Sequence, residues 1–370
     1  MDEQNELRCI GCGAILQVID KKTPGYTPES ALKKGLESGQ LYCQRCFRLR
    51  HYNEIAPVDI SDDDFRKLLS QISDSNSLVV YVVDMFDFNG SLIPGLHRFI
   101  GDNPVLLVGN KEDVFPKSIK RHRMKEWLRQ QAKANGILPE DVVITSAKNA
   151  SSVEALFNAV EKLRKSRDVY VVGVTNVGKS TLINSLIAIR NGIKDVITTS
   201  RFPGTTLDRI EIPFDDHSNL IDTPGIIHAD QMAHVLAAED LKYVSPQKTI
   251  KPRVFQLNSQ QTLFVGALAR FDYEHSEGSV TAYFDNNLMV HRTKLENADN
   301  FYEKHAGELL TPPTADNLAK MPKLVAHQFS ADQDSDIVFE GLGWISVPEG
   351  STITAWAPEG ISVVIRRSLI

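Results

Sequence analysis

A glycine-rich segment near the middle of the chain has the residue types and the spacing that bind nucleotide phosphates. The apolar run 168–172 leads into Gly173, and the loop that follows ends in Gly178, Lys179 and Ser180 before an apolar-periodic segment begins. In a G-x-x-x-x-G-K-[ST] loop the backbone N–H groups surround the phosphates, the lysine reaches the β- and γ-phosphates, and the hydroxyl binds Mg²⁺. The pattern predicts a strand, a loop and a helix. The candidate phosphate contacts are Gly173, Asn176, Val177, Gly178, Lys179, Ser180 and Thr181.

Two downstream motifs could complete a magnesium site beside this loop. Asp222 ends a short apolar stretch and begins an Asp-Thr-Pro-Gly motif, in which the carboxylate would hold Mg²⁺ and the N–H of Gly225 would meet the γ-phosphate. A polar stretch between the motifs carries Thr205 and Thr206, and either could complete the Mg²⁺ shell when a γ-phosphate is present. Thr206 is the favoured candidate. The predicted Mg²⁺ ligands are therefore Ser180, Thr206 and Asp222, and the predicted catalytic contacts include Lys179, Thr206 and Gly225.

Two further motifs lie before the loop, each at the end of an apolar run. The first is Asn110-Lys111-Glu112-Asp113 and the second is Ser146-Ala147-Lys148. Both resemble the guanine-reading motifs of the translation-factor-related GTPases, where a carboxylate accepts from the two N–H donors of guanine and a backbone amide donates to O6. Because adenine has an amino donor where guanine has O6, it would meet the wrong partners. Together with the phosphate loop, these motifs predict GTP and GDP as ligands.

The order of the motifs along the chain is unusual. An ordinary GTPase has its N-K-x-D and S-A-K motifs after D-x-x-G, whereas this chain has them first. The order predicts a circularly permuted P-loop GTPase fold, with a predicted helix over 153–164 joined to the P-loop strand by a short polar segment. In this arrangement the domain that follows D-x-x-G is attached to the segment that senses the γ-phosphate.

All of the cysteines occur in two C-x-x-C pairs. Two such pairs supply the closed, tetrahedral, four-thiolate site that is typical of structural zinc, with no open position for catalysis. Disulfides are disfavoured in a reducing cytosol, and a thioredoxin-type redox pair would need a strand and helix pattern that is absent here. The predicted zinc ligands are Cys9, Cys12, Cys43 and Cys46. A basic, aromatic-containing stretch over 45–52 predicts either RNA contact or a solvated face.

Composition excludes several classes of protein. The chain has 370 residues, 42% hydrophobic and 24% charged, which is typical of folded, multidomain proteins. It lacks an apolar run long enough for a membrane span and begins with an acidic, polar stretch, so a cytoplasmic protein is expected. A formal charge of −6 gives no expectation of DNA binding, and any RNA contact would use local patches. The stretch 117–129, with six Lys or Arg residues, is either such a patch or a solvated helix face.

The predicted fold class is multidomain α/β with three parts. Residues 1–58 are predicted to form the zinc module, 59–235 the permuted GTPase domain, and 236–370 a linker helix followed by an α+β, strand-rich binding domain. The linker helix is predicted over 228–243. Beyond it, strands are predicted over 262–271, 279–284, 344–347, 352–356 and 361–367, with a helix over 295–305.

These features together resemble the YqeH family of ribosome-assembly GTPases over nearly the whole chain. The resemblance is carried by the cysteine pairs, the permuted order, the segment from Asp84-Met-Phe-Asp87 to Ser91, and Ile250-Lys-Pro-Arg253. It implies a GTP-hydrolysing switch in maturation of the small ribosomal subunit, which would bind that subunit or its precursor rRNA. Two alternatives are a nucleotide-dependent RNA-binding scaffold with negligible hydrolysis and a tRNA-modification partner.

The resemblance also bears on how hydrolysis would be catalysed. Ile226 follows D-T-P-G, where the Ras-type site has a glutamine that orients water. Asn176 stands where related GTPases with G-x-x-N-x-G-K-[ST] have a potassium ligand, and the ion supplies the charge otherwise given by an arginine finger. K⁺ at Asn176 is therefore expected beside GTP or GDP, Mg²⁺ and Zn²⁺.

The cysteine pattern gives a testable prediction. Cys9→Ser or Cys43→Ser is expected to remove one equivalent of zinc and the fold of residues 1–58, because such a module folds around its metal. Nucleotide affinity is expected to stay largely unchanged, since the phosphate loop lies in a different predicted domain. Metal analysis and GDP titration of the same samples measure both effects. Zinc-free unsubstituted protein, purified without chelator, would contradict the prediction.

Overall fold

The apolar runs on both sides of the glycine-rich loop form neighbouring strands of one sheet. A computed structural model describes residues 7, 15–21, 25–38, 41–44, 71–191, 210–213, 215, 217–223, 225, 230–237, 239–275 and 278–370. The strands of the sheet are β1 (Leu78–Asp84), β2 (Val105–Asn110), β3 (Asp141–Ile144), β4 (Val169–Val172), β5 (Ile210–Pro213) and β6 (Asn219–Asp222). Their spatial order is β3-β2-β1-β4-β6-β5. All neighbouring pairs are parallel except β5 with β6.

The central strands are apolar because both of their faces are covered. Every residue of β1 and β2 is buried, as expected for strands inside a parallel sheet. The apolar run 78–83 by itself predicts a buried parallel strand, and β1 confirms this prediction. β2 and β3, which lead into the N-K-x-D and S-A-K motifs, precede β4 in the chain and yet lie on one side of it in the same sheet. This is the permuted order that the sequence predicts.

Five helices lie within the described residues of this part of the chain. They are α1 (Glu29–Ser38), α2 (Leu96–Ile100), α3 (Arg121–Ala134), α4 (Ala150–Arg164) and α5 (Lys179–Asn191). α4 begins three residues before the predicted start because the side chain of Asn149 accepts from the N–H of Ser152 and so caps the helix. It ends at the predicted Arg164. Lys165 and Ser166 then take left-handed backbone conformations, which turn the chain from α4 towards β4.

Two cations of the basic stretch over 117–129 are paired with a carboxylate of the amino-terminal unit. Lys125 lies 2.9 Å and Arg129 lies 3.4 Å from the same carboxylate oxygen of Asp141. Two of the six cations that suggested an RNA patch are therefore paired with a carboxylate. The pairing favours the alternative of a solvated, structural helix face at these two positions.

The chain divides into two units. The amino-terminal unit consists of Met1–Asp84, Ser91–Glu112 and Lys125–Ile227, and the carboxy-terminal unit consists of Met85–Gly90, Asp113–Met124 and His228–Ile370. Two short segments from the first third of the chain thus belong with the carboxy-terminal residues. The boundaries predicted at residues 58 and 235 remain predictions.

The carboxy-terminal unit is rich in strands, as predicted, and these form two antiparallel sheets. The strands are β7 (Arg253–Leu257), β8 (Gln261–Val265), β9 (Ala269–His275), β10 (Gly278–Phe284), β11 (Val290–Lys294), β12 (Leu324–Ser330), β13 (Ser335–Phe339), β14 (Gly343–Val347), β15 (Thr352–Pro358) and β16 (Val363–Arg367). Their orders are β16-β13-β14-β10-β7 and β11-β8-β9-β15-β12. Side chains from both sheets share one hydrophobic core, including Phe271, Tyr273, Phe284, Phe339 and Ile353. The short helices are α6 (Ala298–His305) and α7 (Ala315–Leu318).

Some predicted elements of this unit need correction. The run predicted over 262–271 is two strands, β8 and β9, which are joined by a turn at 266–268. β7, β11, β12 and β13 were not among the predicted strands. β13 contains Asp336, which is fully buried and lies 3.3 Å from Arg366. Because Asp336 is charged, it interrupts the apolar pattern of the strand, although β13 is buried along its whole length.

The linker helix predicted over 228–243 is wrong for the described residues of that segment. They form two single-turn 3₁₀ helices, Met232–His234 and Leu241–Tyr243. The N–H of Met232 donates to the carbonyl of Glu340 at 3.0 Å. This long-range hydrogen bond takes the place of a hydrogen bond within a helix. Tertiary hydrogen bonds therefore override the apolar spacing that suggested a helix.

The amino-terminal cysteine module lies largely outside the described residues. Cys9, Cys12 and Cys46 belong to segments that the structure does not describe, and Cys43 is buried. Among the residues that are described, no group of three or more His, Cys, Asp or Glu side chains could hold a metal ion. The zinc module stays a prediction. No helix within the described ranges is both long and apolar enough to cross a membrane.

A buried acid in the carboxy-terminal unit predicts a pH dependence of stability. Burial, together with the nearby Asp87 and Asp230, raises the pKa of Glu340 to about 7. The ordinary value is about 4.3, so the folded state binds the extra proton between these two pH values. The free energy of unfolding should therefore fall as the pH rises from about 4.5 to about 7.

Glu340→Gln is expected to remove this fall in the free energy of unfolding with rising pH. Denaturant unfolding should give the variant about 1–3 kcal/mol more stability than the unsubstituted chain at pH 8 and little difference at pH 5. Glu359→Gln, at an exposed position of the same unit, is the matched control. Equal effects of Glu340→Gln at both pH values would contradict the assignment.

Candidate functional site

The glycine-rich loop begins where β4 ends, beside the last residues of β1. A Cβ atom on Gly173 would lie 2.6 Å from the carbonyl oxygen of Val82, so no side chain fits where the loop leaves the sheet. Asn176 and Gly178 both have left-handed backbone conformations, with φ of 64° and 85°. Glycine and asparagine tolerate this conformation best. These residue types therefore follow from the shape of the loop.

A buried asparagine connects this loop to the S-A-K loop. Asn110 is 1% exposed. Its side-chain N–H donates to the carbonyl of Val177 at 2.8 Å, and its side-chain oxygen accepts from the N–H of Ala147 at 3.3 Å. One amide group is thus bonded to two loops, one that precedes β4 in the chain and one that follows it. The sequence predicted Asn110 as a site residue, and the structure gives it this bridging position.

Hydroxyl groups fix the shape of the S-A-K loop. The hydroxyl of Ser152 accepts from the N–H of Ser146 at 3.1 Å and donates to the carbonyl of the same residue at 3.0 Å. The Ser146 hydroxyl accepts from the N–H of Lys148 at 3.2 Å. Ser185, in α5, donates to the carbonyl of Ala147 at 3.2 Å. Ser152 and Ser185 position a predicted base-reading loop, and no sequence motif marked either of them.

The lysine of N-K-x-D is paired with a carboxylate that sequence reasoning did not place in the site. Nζ of Lys111 lies 2.6 Å from Oδ2 of Asp84, and the hydroxyl of Ser91 accepts from the N–H of Asp84 at 3.0 Å. Asp84 ends an otherwise apolar strand, and ligands of parallel sheets bind at that end of the strands. A lone charge at the end of a buried strand is therefore the signal that could have identified Asp84.

The phosphate-loop lysine and the D-x-x-G aspartate are neighbours. Nζ of Lys179 lies 3.0 Å from Oδ1 of Asp222 and also donates to the carbonyl of Thr223. Both charged side chains are at least nine-tenths buried. Gly225 approaches the loop so closely that a Cβ atom there would lie 3.0 Å from the backbone nitrogen of Thr175. D-x-x-G and the phosphate loop therefore meet, as their predicted roles require.

The donor set at this point suits a nucleotide with Mg²⁺. The carboxylate of Asp222 and the hydroxyl of Ser180, the residue next to Lys179, are oxygen ligands of the kind that Mg²⁺ prefers. The ammonium group of Lys179 can neutralise phosphate charge. Thr205, Thr206 and Ile226 lie outside the described residues, so their predicted roles remain predictions.

The aspartate of N-K-x-D belongs to the carboxy-terminal unit. Asp113 is the first residue of the segment Asp113–Met124, which groups with the carboxy-terminal residues. Its backbone carbonyl accepts from the hydroxyl of Thr249 at 3.0 Å. The sequence motif does not indicate that Asp113 is hydrogen-bonded to Thr249, which lies 136 residues later in the chain.

Comparisons with known proteins match both parts of the chain. Residues 168–264 match a family model described as "50S ribosome-binding GTPase", and residues 277–369 match one described as "YqeH-like, C-terminal". The chain is 55% identical over 365 residues to YqeH of Bacillus subtilis, which covers 98% of this chain and 99% of that protein. It is 31% identical over 387 residues to NO-associated protein 1 of Arabidopsis thaliana, covering 92% and 69% of the two chains. A GTPase of Schizosaccharomyces pombe, grn1, matches at 25% identity over 194 residues, 48% of this chain and 41% of that one.

The base-reading assignment gives a direct prediction for Asp113. Asp113→Asn would replace the carboxylate, which accepts from two N–H donors of guanine, with a group that matches the extra carbonyl of xanthine. Affinity for GDP is expected to fall by about tenfold or more, and affinity for xanthosine diphosphate is expected to rise. Titration calorimetry measures both.

The control is Asp102→Asn, at an exposed position of the amino-terminal unit, which should leave both affinities unchanged. If the unsubstituted protein binds GDP and ADP within about tenfold, or roughly 1.4 kcal/mol, the assignment of guanine recognition to this motif is wrong.

Proposed function

The chain belongs to the YqeH-like GTPases, and on this premise we propose that it is a GTP-dependent switch in cytoplasmic ribosome assembly. The bridge made by Asn110 carries the proposal, because it joins the phosphate loop to the S-A-K loop. A nucleotide bound there would meet phosphate-binding and base-reading elements at once. The ribosome-related part is supported by the description of the family model over 168–264 and by the resemblance of the motifs.

We assign the roles at the phosphates to this chain's own groups. The N–H groups of the loop and the ammonium group of Lys179 would hold the β- and γ-phosphates, while the N–H of Gly225 would meet the γ-phosphate. Ser180, Asp222 and Thr206 would hold Mg²⁺, which when bound supplies positive charge to the phosphate oxygens. The buried pairing of Lys179 with Asp222 supports this assignment, because it places a phosphate-binding cation beside a metal-binding carboxylate.

The resemblance of the phosphate loop to that of related GTPases suggests potassium as the source of further positive charge. Ile226 stands in place of the water-orienting glutamine, and we propose that K⁺ bound at Asn176 stabilises charge in the transition state. Intrinsic hydrolysis is then expected to be slow in Na⁺ and about tenfold or more faster in K⁺. Single-turnover hydrolysis in the two salts at equal ionic strength measures this response.

Asn176→Gly tests the ligand without straining the loop. Glycine accepts the left-handed backbone of this position, where φ is 64°, but lacks the side-chain oxygen. The variant should keep its GDP affinity and lose the difference between the two salts. A full potassium response in Asn176→Gly would remove Asn176 from the mechanism.

The partner that we propose is the small ribosomal subunit or its precursor rRNA, with no role for DNA or a membrane. GTP would favour the ribosome-binding arrangement over GDP by about 5–150-fold, which is the usual range of coupling between two sites. The subunit must then tighten GTP binding over GDP by the same factor. Co-sedimentation with purified small and large subunits, in GDP and in a non-hydrolysable GTP analogue, measures the effect.

Nucleotide-independent binding would contradict the switch. Binding to large subunits alone would move the partner to the one that the family-model description suggests. Ile226 also favours a second candidate, an RNA-binding scaffold that binds GTP with negligible hydrolysis. Single-turnover hydrolysis with and without small subunits distinguishes the two, since only a switch requires turnover.

A further inference from the structure

The loops that follow β1 and β2 belong to the carboxy-terminal unit. They are Met85–Gly90 and Asp113–Met124, and both group with the carboxy-terminal residues. The second loop begins at Asp113, the residue that would read guanine. The contacts within this unit therefore decide how the backbone of Asp113 is held.

Two hydrogen bonds fix the backbone carbonyl groups of Asp113 and Val114. The carbonyl of Asp113 accepts from the hydroxyl of Thr249 at 3.0 Å. The carbonyl of Val114 accepts from the N–H of Ile250 at 2.8 Å, and both Val114 and Ile250 are buried. Because two successive carbonyl groups are fixed, the direction in which the Asp113 side chain leaves the backbone is restricted as well.

The segment that supplies these donors is itself fastened to a sheet. Asn286 lies in the turn between β10 and β11. Its side-chain N–H donates to the carbonyl of Thr249 at 2.9 Å, and its side-chain oxygen accepts from the N–H of Lys251 at 2.8 Å. The anchor of Asp113 is therefore continuous with the strands of the carboxy-terminal unit.

An aromatic contact holds the same loop from a second side. The ring of Phe115 stacks on fully buried Trp344, with ring centroids 6.0 Å apart. Trp344 also stacks on Tyr283 at 4.9 Å and contacts Phe86 of the other loop at 5.5 Å. One tryptophan of β14 thus touches both loops.

We propose that the carboxy-terminal unit sets guanine selectivity, with Thr249 and Trp344 as positioning residues for the Asp113 carboxylate. The inference rests on the proposed function, in which Asp113 accepts from the N–H donors of guanine. The strands of the carboxy-terminal unit would then influence base preference through the backbone of Asp113. A ligand that shifts the 249–251 segment or Trp344 would thereby change nucleotide binding at the base.

The test compares GDP with inosine diphosphate, which lacks the 2-amino group that Asp113 would bind. Thr249→Val keeps the size of an exposed side chain and removes the donor, and Trp344→Phe keeps an aromatic core. Each should lower the preference for GDP over inosine diphosphate by about three- to tenfold. A merely structural role would weaken both nucleotides equally and leave the ratio unchanged.

Matched controls come from the same unit. Thr293→Val in β11 and Trp356→Phe in β15 lie on the other sheet and should leave the ratio unchanged. In an Asp113→Ala background the ratio should already be low, and Thr249→Val should not lower it further. An unchanged ratio in Thr249→Val, beside a lowered ratio in Asp113→Ala, would overturn the inference and leave the proposed function intact. An unchanged ratio in Asp113→Ala would overturn guanine reading by Asp113 itself.

A second measurement covers the case in which Trp344→Phe does not fold. The chain has three tryptophans, and the variant W127F/W356F leaves Trp344 as the single tryptophan. Its emission should change on saturation with GDP when Asp113 is present and stay constant when Asp113 is replaced by alanine. No change with GDP in the protein that retains Asp113 would contradict the inference.

Discussion

The parallel pairing of β1 with β4 is the contact on which the nucleotide site depends. It runs from Leu78 opposite Val169 to Tyr81 opposite Val172, and it joins the two halves of the permuted domain. All the paired residues are buried, and burial of each large apolar side chain contributes about 1.5–3 kcal/mol. The pairing brings Val82 so close to Gly173 that the phosphate loop must begin with a glycine.

The same pairing explains why the changed motif order does not change the site. A sheet is defined by which strands are neighbours, and the carboxyl ends of parallel strands meet at one edge whatever their order in the chain. β2 and β4 both end at that edge, so Asn110 can bond to the phosphate loop and to the S-A-K loop. The permutation moves the chain ends, and this GTPase keeps its bridge between the base-reading and phosphate-binding elements.

The sequence alone was sufficient to predict the elements in which the spacing of apolar residues matches the pattern of burial. β1, β4 and α4 were predicted within a few residues, because their buried faces are continuous or regularly spaced. β13 was missed because its buried face includes the charged Asp336, whose partner Arg366 lies 30 residues away. The prediction of a linker helix was wrong because the N–H of Met232 donates to a carbonyl more than 100 residues away. The roles of Asp84 and Thr249 depend on partners 27 and 136 residues distant, which no local pattern reveals.

Amide hydrogen exchange of the full chain tests most directly whether both halves of the permuted domain hold one nucleotide. Saturation with GDP should slow exchange in the phosphate loop, 173–181, and also in the S-A-K loop, where a backbone amide would donate to the base. ADP at the same concentration should protect neither segment. Protection of 173–181 by GDP without protection of 145–148 would mean that the phosphates alone hold the nucleotide, and it would contradict this account.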